Sequence, residues 1–167
     1  MTAVTFKEKP VTLVGDKVEV GEYAPDFTVL ANDMTPVSLS DAAGKVRLIS
    51  VVPSIDTGVC SQQTRKFNEE AASLENVEVW TISCDLPYAQ RRWCAAEGIE
   101  NVRVLSDHKD LDFGEQFGLV MDEMRLLARS VIVVDSEGKV SYKEVVSEGT
   151  NHPDYSSVFQ HLRSIRK

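Results

Sequence analysis

The 167-residue sequence has no apolar run long enough to span a bilayer. Its first nine residues also lack the positive region and apolar core of a secretory signal. It has only three cysteines, an odd number and too few for a disulfide scaffold. We therefore expect a cytoplasmic protein with reduced thiols, in which any disulfide is transient and either catalytic or sensing.

Positive charge is scarce as well. The chain has 18 Lys and Arg against 26 Asp and Glu, a net charge of −8, and no basic run that could neutralise phosphates. This argues against nucleic acid as a partner, and the acidic excess itself favours solubility only. Because His108, His152 and His161 are scattered and no C-x-x-C or H-x-x-x-H spacing occurs, we expect no metal and no cofactor.

The sequence does contain alternating apolar and amphipathic segments, which predict an α/β sandwich over a single domain, 1–167. An N-terminal β-hairpin is expected within about residues 1–20, with strands 11–14 and 17–20 joined by a turn at Gly15-Asp16. Ser40 or Asp41 is expected to cap a single helical turn, and Asp85 to cap a helix that stops at Gly98. Further strands are predicted at 27–30, around Val37, and at 46–52, 77–83, 102–105, 129–134 and 139–146, and helices at 61–74, 85–97, 113–117 and 154–165.

Cys60 closes the string Pro-Ser-Ile-Asp-Thr-Gly-Val-Cys, which lies between the strand at 46–52 and the helix at 61–74. The cysteine is therefore expected at or just inside a helix N-terminus, where free amides and the helix dipole favour negative charge. This position predicts a reactive thiolate. Taken alone, the residue could equally be a buried, inert cysteine.

The spacing Pro53-x-x-x-Thr57-x-x-Cys60 resembles the active-site signature of the peroxiredoxins, and the full string resembles their thiol peroxidase branch. A second segment, at 85–98 around Cys94, is similar to the same branch, the atypical two-cysteine peroxiredoxins. The resemblance covers nearly the whole chain. It implies a thioredoxin-like three-layer sandwich with an additional N-terminal hairpin.

The resemblance also implies a function. Cys60 would be the peroxidatic cysteine, reducing hydrogen peroxide and organic hydroperoxides to water and alcohols in antioxidant defence. Cys94 would resolve its sulfenic acid as an intramolecular disulfide, which thioredoxin would reduce, and the protein would be a homodimer. Since the two cysteines lie on separate predicted helices, we expect local unwinding before they join. Without the resemblance, Cys94 could be a packed residue beside Trp93, and Cys84 is interpreted as a buried bystander.

Three further residues are candidates for the site. Arg129 opens an apolar strand, where a guanidinium needs a partner, and the resemblance directs it at the reactive sulfur; its head group could instead reach solvent. Thr57 could cap the Cys60 helix and also lie within reach of a thiolate or a peroxide oxygen. Pro53 would shape and dry the pocket, or simply end the strand.

Hydrogen-bond donors should contribute more to the rate than thiol acidity. Lowering a thiol pKa from about 8.5 to about 6 raises the thiolate fraction about 30-fold, but the accompanying loss of nucleophilicity returns about tenfold of it. We therefore expect Arg129, Thr57 and the amides around Cys60 to stabilise the peroxide oxygens as their bond breaks. A peroxide-responsive redox sensor with incidental turnover and an idle thioredoxin-like binding module are the alternatives.

Overall fold

The computed structural model describes residues 4–71 and 73–165 of the chain. The strands are β1 (Val4–Phe6), β2 (Lys9–Val11), β3 (Leu13–Val14), β4 (Thr28–Leu30), β5 (Pro36–Ser38), β6 (Val46–Val51), β7 (Val77–Ser83), β8 (Arg103–Ser106), β9 (Val120–Met121), β10 (Leu126–Leu127), β11 (Ser130–Val134) and β12 (Val140–Val145). The α-helices are α1 (Gly58–Ala71), α2 (Pro87–Glu97), α3 (Asp112–Phe117) and α4 (Tyr155–Ile165), and a 3-10 turn spans Leu39–Ala42.

The central sheet has seven strands in the order β12-β11-β6-β7-β8-β4-β5. Strands β6, β7 and β8 run parallel to one another, and the remaining pairs are antiparallel. The five residues of β6 from Arg47 to Val51 are all buried, as expected for a central strand that is covered on both faces. The carboxyl ends of β6 and β7 therefore open next to each other, and α1 and α2 follow them.

Successive strand residues alternate between two apolar clusters, one on each face of the sheet. On β6, Leu48 joins the cluster that contains Phe67 of α1 and Leu162 of α4. Its neighbour Ile49 joins the opposite cluster, which contains Phe113 of α3. Helix, sheet and helix layers result, so the thioredoxin-like three-layer sandwich predicted from the sequence is confirmed.

The N-terminal hairpin predicted within about residues 1–20 is confirmed, but the strands predicted for it, 11–14 and 17–20, are wrong. It consists of β1 and β2, whose turn places Lys7 and Glu8 at positive φ. Residues 17–20 form no strand, and β3 pairs instead with β9, which with β10 makes a small sheet that the sequence did not predict. Gly15 has φ +117° because the chain there approaches α3, where Asp16 N–H donates to the Glu115 carbonyl at 2.7 Å. Residues 1–3 of the predicted hairpin region lie outside the described chain.

Two predicted helix caps are also wrong. The 3-10 turn is capped at Ser38, whose amide donates to Asp41 at 2.8 Å, rather than at Ser40 or Asp41. Helix α2 has Leu86 at its N-cap, because the Asp85 carboxylate accepts hydrogen bonds from other segments. The predicted stop at Gly98 is confirmed, with φ +65°. Within the described ranges, no helix is long and apolar enough to cross a membrane.

Gly98 and Gly118 form a matched pair for testing the contact between α3 and the N-terminal segment. Both follow a helix in the left-handed region, at φ +65° and +67°. A Cβ at Gly98 would meet open space, whereas one at Gly118 would collide with the Asp16 carbonyl. We expect Gly98→Ala to lower the free energy of unfolding by about 1–2 kcal/mol, and Gly118→Ala by a further ~1–3 kcal/mol. Urea denaturation of both variants measures this, and equal losses would contradict the close approach.

Candidate active site

Cys60 is the third residue of α1 and is completely buried. The helix begins three residues earlier than predicted, and the hydrogen bond from Ser61 N–H to the Thr57 carbonyl, 2.9 Å, opens its ladder. The Cys60 amide therefore lies in the first turn, where amides have no carbonyl partner within the helix. The expected place of the cysteine just inside a helix N-terminus is confirmed.

Arg129, directly before β11, supplies a donor to the sulfur. Its side chain is only 2% exposed. Nη2 donates to Cys60 Sγ at 3.1 Å, Nη1 to Gln63 Oε1 at 3.0 Å, and Nε to the Gly149 carbonyl at 2.8 Å. All three nitrogens are thus engaged, and the guanidinium is held in one orientation against the thiol. The sequence had left open the alternative that the Arg129 head group extends to solvent, and the structure shows that it does not.

Gln63 fixes the arginine from the helix side and was missed by sequence reasoning. Glutamine is mostly an exposed residue, but this side chain is fully buried. Its amide nitrogen donates to Ser50 Oγ of β6 at 2.8 Å, which leaves the amide oxygen free to accept from Arg129. The available signal was the i, i+3 spacing from Cys60, which places both side chains on the same helix face.

Thr57 and Pro53 lie in the loop between β6 and α1. Thr57 precedes the first helical residue, but its exposed hydroxyl donates to the Ser54 carbonyl at 3.3 Å, so in this structure it bonds the loop rather than the sulfur. Pro53, in the same loop, is buried. Both candidates are therefore close to Cys60 in sequence. Of the three, Arg129 is the one whose side chain hydrogen-bonds the sulfur in the described part of the chain.

Tyr155, the first residue of α4, is a further neighbour of the site. Burial raises the pKa of its hydroxyl to about 12; the charge of Arg129 acts to lower it and that of Cys60 to raise it. The phenol therefore stays protonated at neutral pH, and its oxygen lies 2.8 Å from His152 Nδ1. Tyr155 was not among the residues that the sequence predicted for the site.

Cys94 and Cys84 have different surroundings. Cys94 lies on α2, half-buried, in the same apolar cluster as Cys60, and burial raises its pKa while a hydrogen bond with Asn32 acts in the opposite direction. Cys84 follows β7, where burial and the carboxylates of Asp107 and Asp85 raise its pKa to about 12. All three thiols are free. Cys84 is thus held as a neutral thiol, consistent with a bystander.

The site consists of a sulfur, a guanidinium and polar side chains. In the part of the chain that the structure describes, no three His, Cys, Asp or Glu side chains gather as a metal ion would require. A sulfur that faces a fixed cation at a helix start is suited to nucleophilic attack and to stabilising an oxygen that gains negative charge.

A family model described as Redoxin matches residues 19–160. The chain belongs to the redoxin family. It is 59% identical to a thiol peroxidase of Bacillus subtilis over 167 residues, all of both chains, and 61% identical to one of Halalkalibacterium halodurans over 160 residues, 96% of each. A solved structure, a peroxiredoxin-like protein from Aquifex aeolicus, superposes with a TM-score of 0.94 at 39% identity and covers 99% of this chain and 98% of its own.

These likenesses confirm the predicted resemblance to the thiol peroxidases. This redoxin is a peroxiredoxin-type peroxidase, an enzyme and an oxidoreductase, as its full-length relatives at about 60% identity show. A thiol peroxidase from Chromobacterium violaceum, 20% identical with a TM-score of 0.88, shares the fold over 97% of the chain.

Replacing Arg129 by Met should slow the reaction of Cys60 with a hydroperoxide about 100- to 1,000-fold, because one donor to the developing oxyanion is lost. Arg129→Lys should restore little, since an ammonium cannot reproduce the forked geometry. Stopped-flow kinetics with excess peroxide measures the rate.

Arg47 provides the matched control. It is a second buried arginine, 3% exposed, and it bonds the Leu39 and Asp135 carbonyls rather than the sulfur. We expect Arg47→Met to reduce stability while leaving Cys60 oxidation within about threefold of the parent. Equal slowing by Arg47→Met and Arg129→Met would mean that loss of folding, and not loss of the donor, explains the effect.

Proposed function

We propose that Cys60 reduces hydrogen peroxide and organic hydroperoxides, with Arg129 as the principal donor to the reacting oxygens. The observation that carries this assignment is the 3.1 Å contact from Arg129 Nη2 to Cys60 Sγ, between two buried side chains at a helix start. This contact holds the guanidinium next to the sulfur. A peroxide oxygen that approaches the sulfur can then accept a hydrogen bond from the same guanidinium.

In the first step, the Cys60 thiolate attacks the terminal peroxide oxygen and the O–O bond breaks. The remaining oxygen leaves as alkoxide or hydroxide, takes a proton and becomes alcohol or water, while the sulfur becomes a sulfenic acid. Arg129 stabilises the oxygens as charge develops. Thr57, exposed at the mouth of the pocket, would turn its hydroxyl from Ser54 to the substrate, and buried Pro53 would exclude water.

In the second step, the Cys94 sulfur attacks the sulfenic sulfur, an intramolecular disulfide forms and water leaves. Because the two cysteines belong to α1 and α2, the ends of one or both helices must unwind first. A dithiol of the thioredoxin type then reduces the disulfide by exchange. The cycle uses thiols alone, so it requires neither a metal nor another cofactor.

We also propose that the enzyme acts in antioxidant defence in the cytoplasm as a homodimer. The three free thiols suit a reducing compartment. The antioxidant role is supported by the names of the similar bacterial proteins, which are thiol peroxidases.

Steady-state peroxide consumption with thioredoxin, its reductase and NADPH tests the proposal. We expect turnover in the parent and none in Cys60→Ser. A parent that oxidises once and is not reduced by thioredoxin would act as a redox sensor instead, and a Cys60→Ser variant with parental turnover would refute the assignment.

Cys94→Ser should separate the two steps. Cys60 should oxidise at a rate within about twofold of the parent, and its sulfenic acid should persist because the second thiol is missing. Turnover with thioredoxin should fall about 100-fold or more. Rapid quenching followed by intact mass measures the sulfenic species, with Cys84→Ser as the control that keeps normal turnover. Normal turnover in Cys94→Ser would exclude it as the resolving residue.

The disulfide-forming step should accelerate with pH. Burial raises the Cys94 pKa above the ordinary value of a thiol, so the neutral thiol predominates near neutrality, and the thiolate is the attacking form. The thiolate fraction, and with it the rate, should rise up to about tenfold per pH unit between about pH 6.5 and 8.5. Double-mixing stopped flow, with peroxide added first and pH changed second, isolates the step. A rate that is independent of pH would contradict this.

A further inference from the structure

Asp85 joins the loop that precedes α1, residues 52–57, here called the Cys60 loop, to β7, the strand that precedes the Cys94 helix. From the loop side, Ser54 Oγ donates to Asp85 Oδ1 at 2.7 Å and Ile55 N–H donates to Oδ2 at 2.8 Å. From its own side, Ser83 Oγ of β7 donates to Oδ2 at 2.6 Å. We call these three hydrogen bonds the Asp85 bridge.

The Asp85 bridge has firm support on the side of α2. The Asp85 carbonyl accepts from Ser106 Oγ of β8 at 2.5 Å, and Ser83 Oγ also accepts from Gln90 of α2 at 3.0 Å. Gln90, fully buried, is bound in turn to the Leu105 carbonyl at 2.8 Å. Asp85 is therefore anchored to two strands and to α2.

On the loop side, the anchor is apolar packing: Ile55 is completely buried in the same cluster as Cys60, whereas the polar residues around it are more open. Ser54 is half-buried, and the residues from Asp56 to Gly58 are exposed. Ser54 Oγ also accepts from Asp56 N–H at 3.2 Å, so the Asp85 bridge holds the backbone just before the first turn of α1. Unwinding that turn, which is part of the proposed disulfide-forming step, must release these bonds.

We propose that Asp85 is a positioning residue that sets the balance between the folded Cys60 loop and the unwound form that reacts with Cys94. This inference rests on the proposed function, since it concerns the step between sulfenic acid and disulfide. In the folded form, the Asp85 bridge keeps Cys60 against Arg129 for attack on peroxide. Breaking the bridge increases the unwound population. This accelerates disulfide formation and slows only the first attack on peroxide.

Asp85→Ala removes the acceptor of all three bonds, and Ser54→Ala removes a single donor on the loop side. In rapid-quench experiments with one equivalent of hydroperoxide, we expect disulfide formation in Asp85→Ala to be about tenfold faster, equivalent to ~1.4 kcal/mol in the folding balance of the loop. Ser54→Ala should give a smaller acceleration in the same direction. Cys60 oxidation should slow by no more than about threefold in either variant.

Asp107→Asn is the matched control. Asp107 is a buried aspartate that follows the neighbouring strand β8, and its carboxylate accepts from the amides of Phe113 and Gly114 rather than from the Cys60 loop. Its substitution should leave the ratio of the two rates unchanged. A purely structural role for Asp85 predicts instead that both rates fall together, or that Asp107→Asn behaves like Asp85→Ala, and either result would overturn the proposal.

Hydrogen exchange of the reduced chain supplies a readout that does not depend on peroxide chemistry. Asp85→Ala should accelerate exchange of amides in residues 55–61 at least tenfold and leave α4 unaffected. Unchanged exchange in 55–61 would refute the positioning role even if the enzyme is a peroxidase. A parent that forms no Cys60–Cys94 disulfide would refute the proposed function, while the exchange result would still decide the role of Asp85.

Discussion

The site depends on one buried cation. Arg129 is 98% buried, and its three nitrogens bond a sulfur, an amide oxygen and a carbonyl oxygen. Among the described residues, no carboxylate lies within ion-pair distance of it. Removing a guanidinium from water costs several kcal/mol unless an anion or good acceptors compensate. In the proposed cycle, negative charge on the Cys60 sulfur, and later on the oxygen that it attacks, compensates this cost, so the arginine and the reacting atoms would stabilise one another.

Distant parts of the chain hold the arginine in place. The Gly149 carbonyl, which accepts from Arg129 Nε, belongs to a segment paired with β1: Thr5 N–H donates to the Ser147 carbonyl at 2.8 Å, and Gly149 N–H donates to the Thr5 carbonyl at 2.7 Å. A Cβ at Gly149 would collide with the Phe6 ring, which explains the glycine there. The N-terminal hairpin therefore holds the segment that binds Arg129, while the Asp85 bridge ties the loop before Cys60 to the side of α2.

The parts of this arrangement that follow from local pattern were predictable from the sequence. The apolar run at β6, the helix after it and Gly98 place Cys60 and Cys94 on the correct elements, because burial and capping act over a few residues. Contacts between distant segments were not predictable. Gln63 is polar and is buried only because Arg129 packs beside it, and Asp85 resembles a helix cap although its carboxylate binds the loop before α1. Strands β9 and β10 are too short to be recognised before they pair, and β3, which lies within the strand predicted at 11–14, pairs with β9 instead of with residues 17–20. The Gly15-Asp16 pair looks like a hairpin turn, but tertiary contact with α3 determines its conformation.

The central claim is that Cys60, and neither of the other two thiols, receives the oxygen and passes the oxidation to Cys94. The most direct test treats the reduced protein with one equivalent of a hydroperoxide, alkylates the remaining thiols and maps the peptides by mass. The account predicts a Cys60–Cys94 disulfide within one chain and an alkylated Cys84. An alkylated Cys60, or a disulfide that contains Cys84, would contradict it.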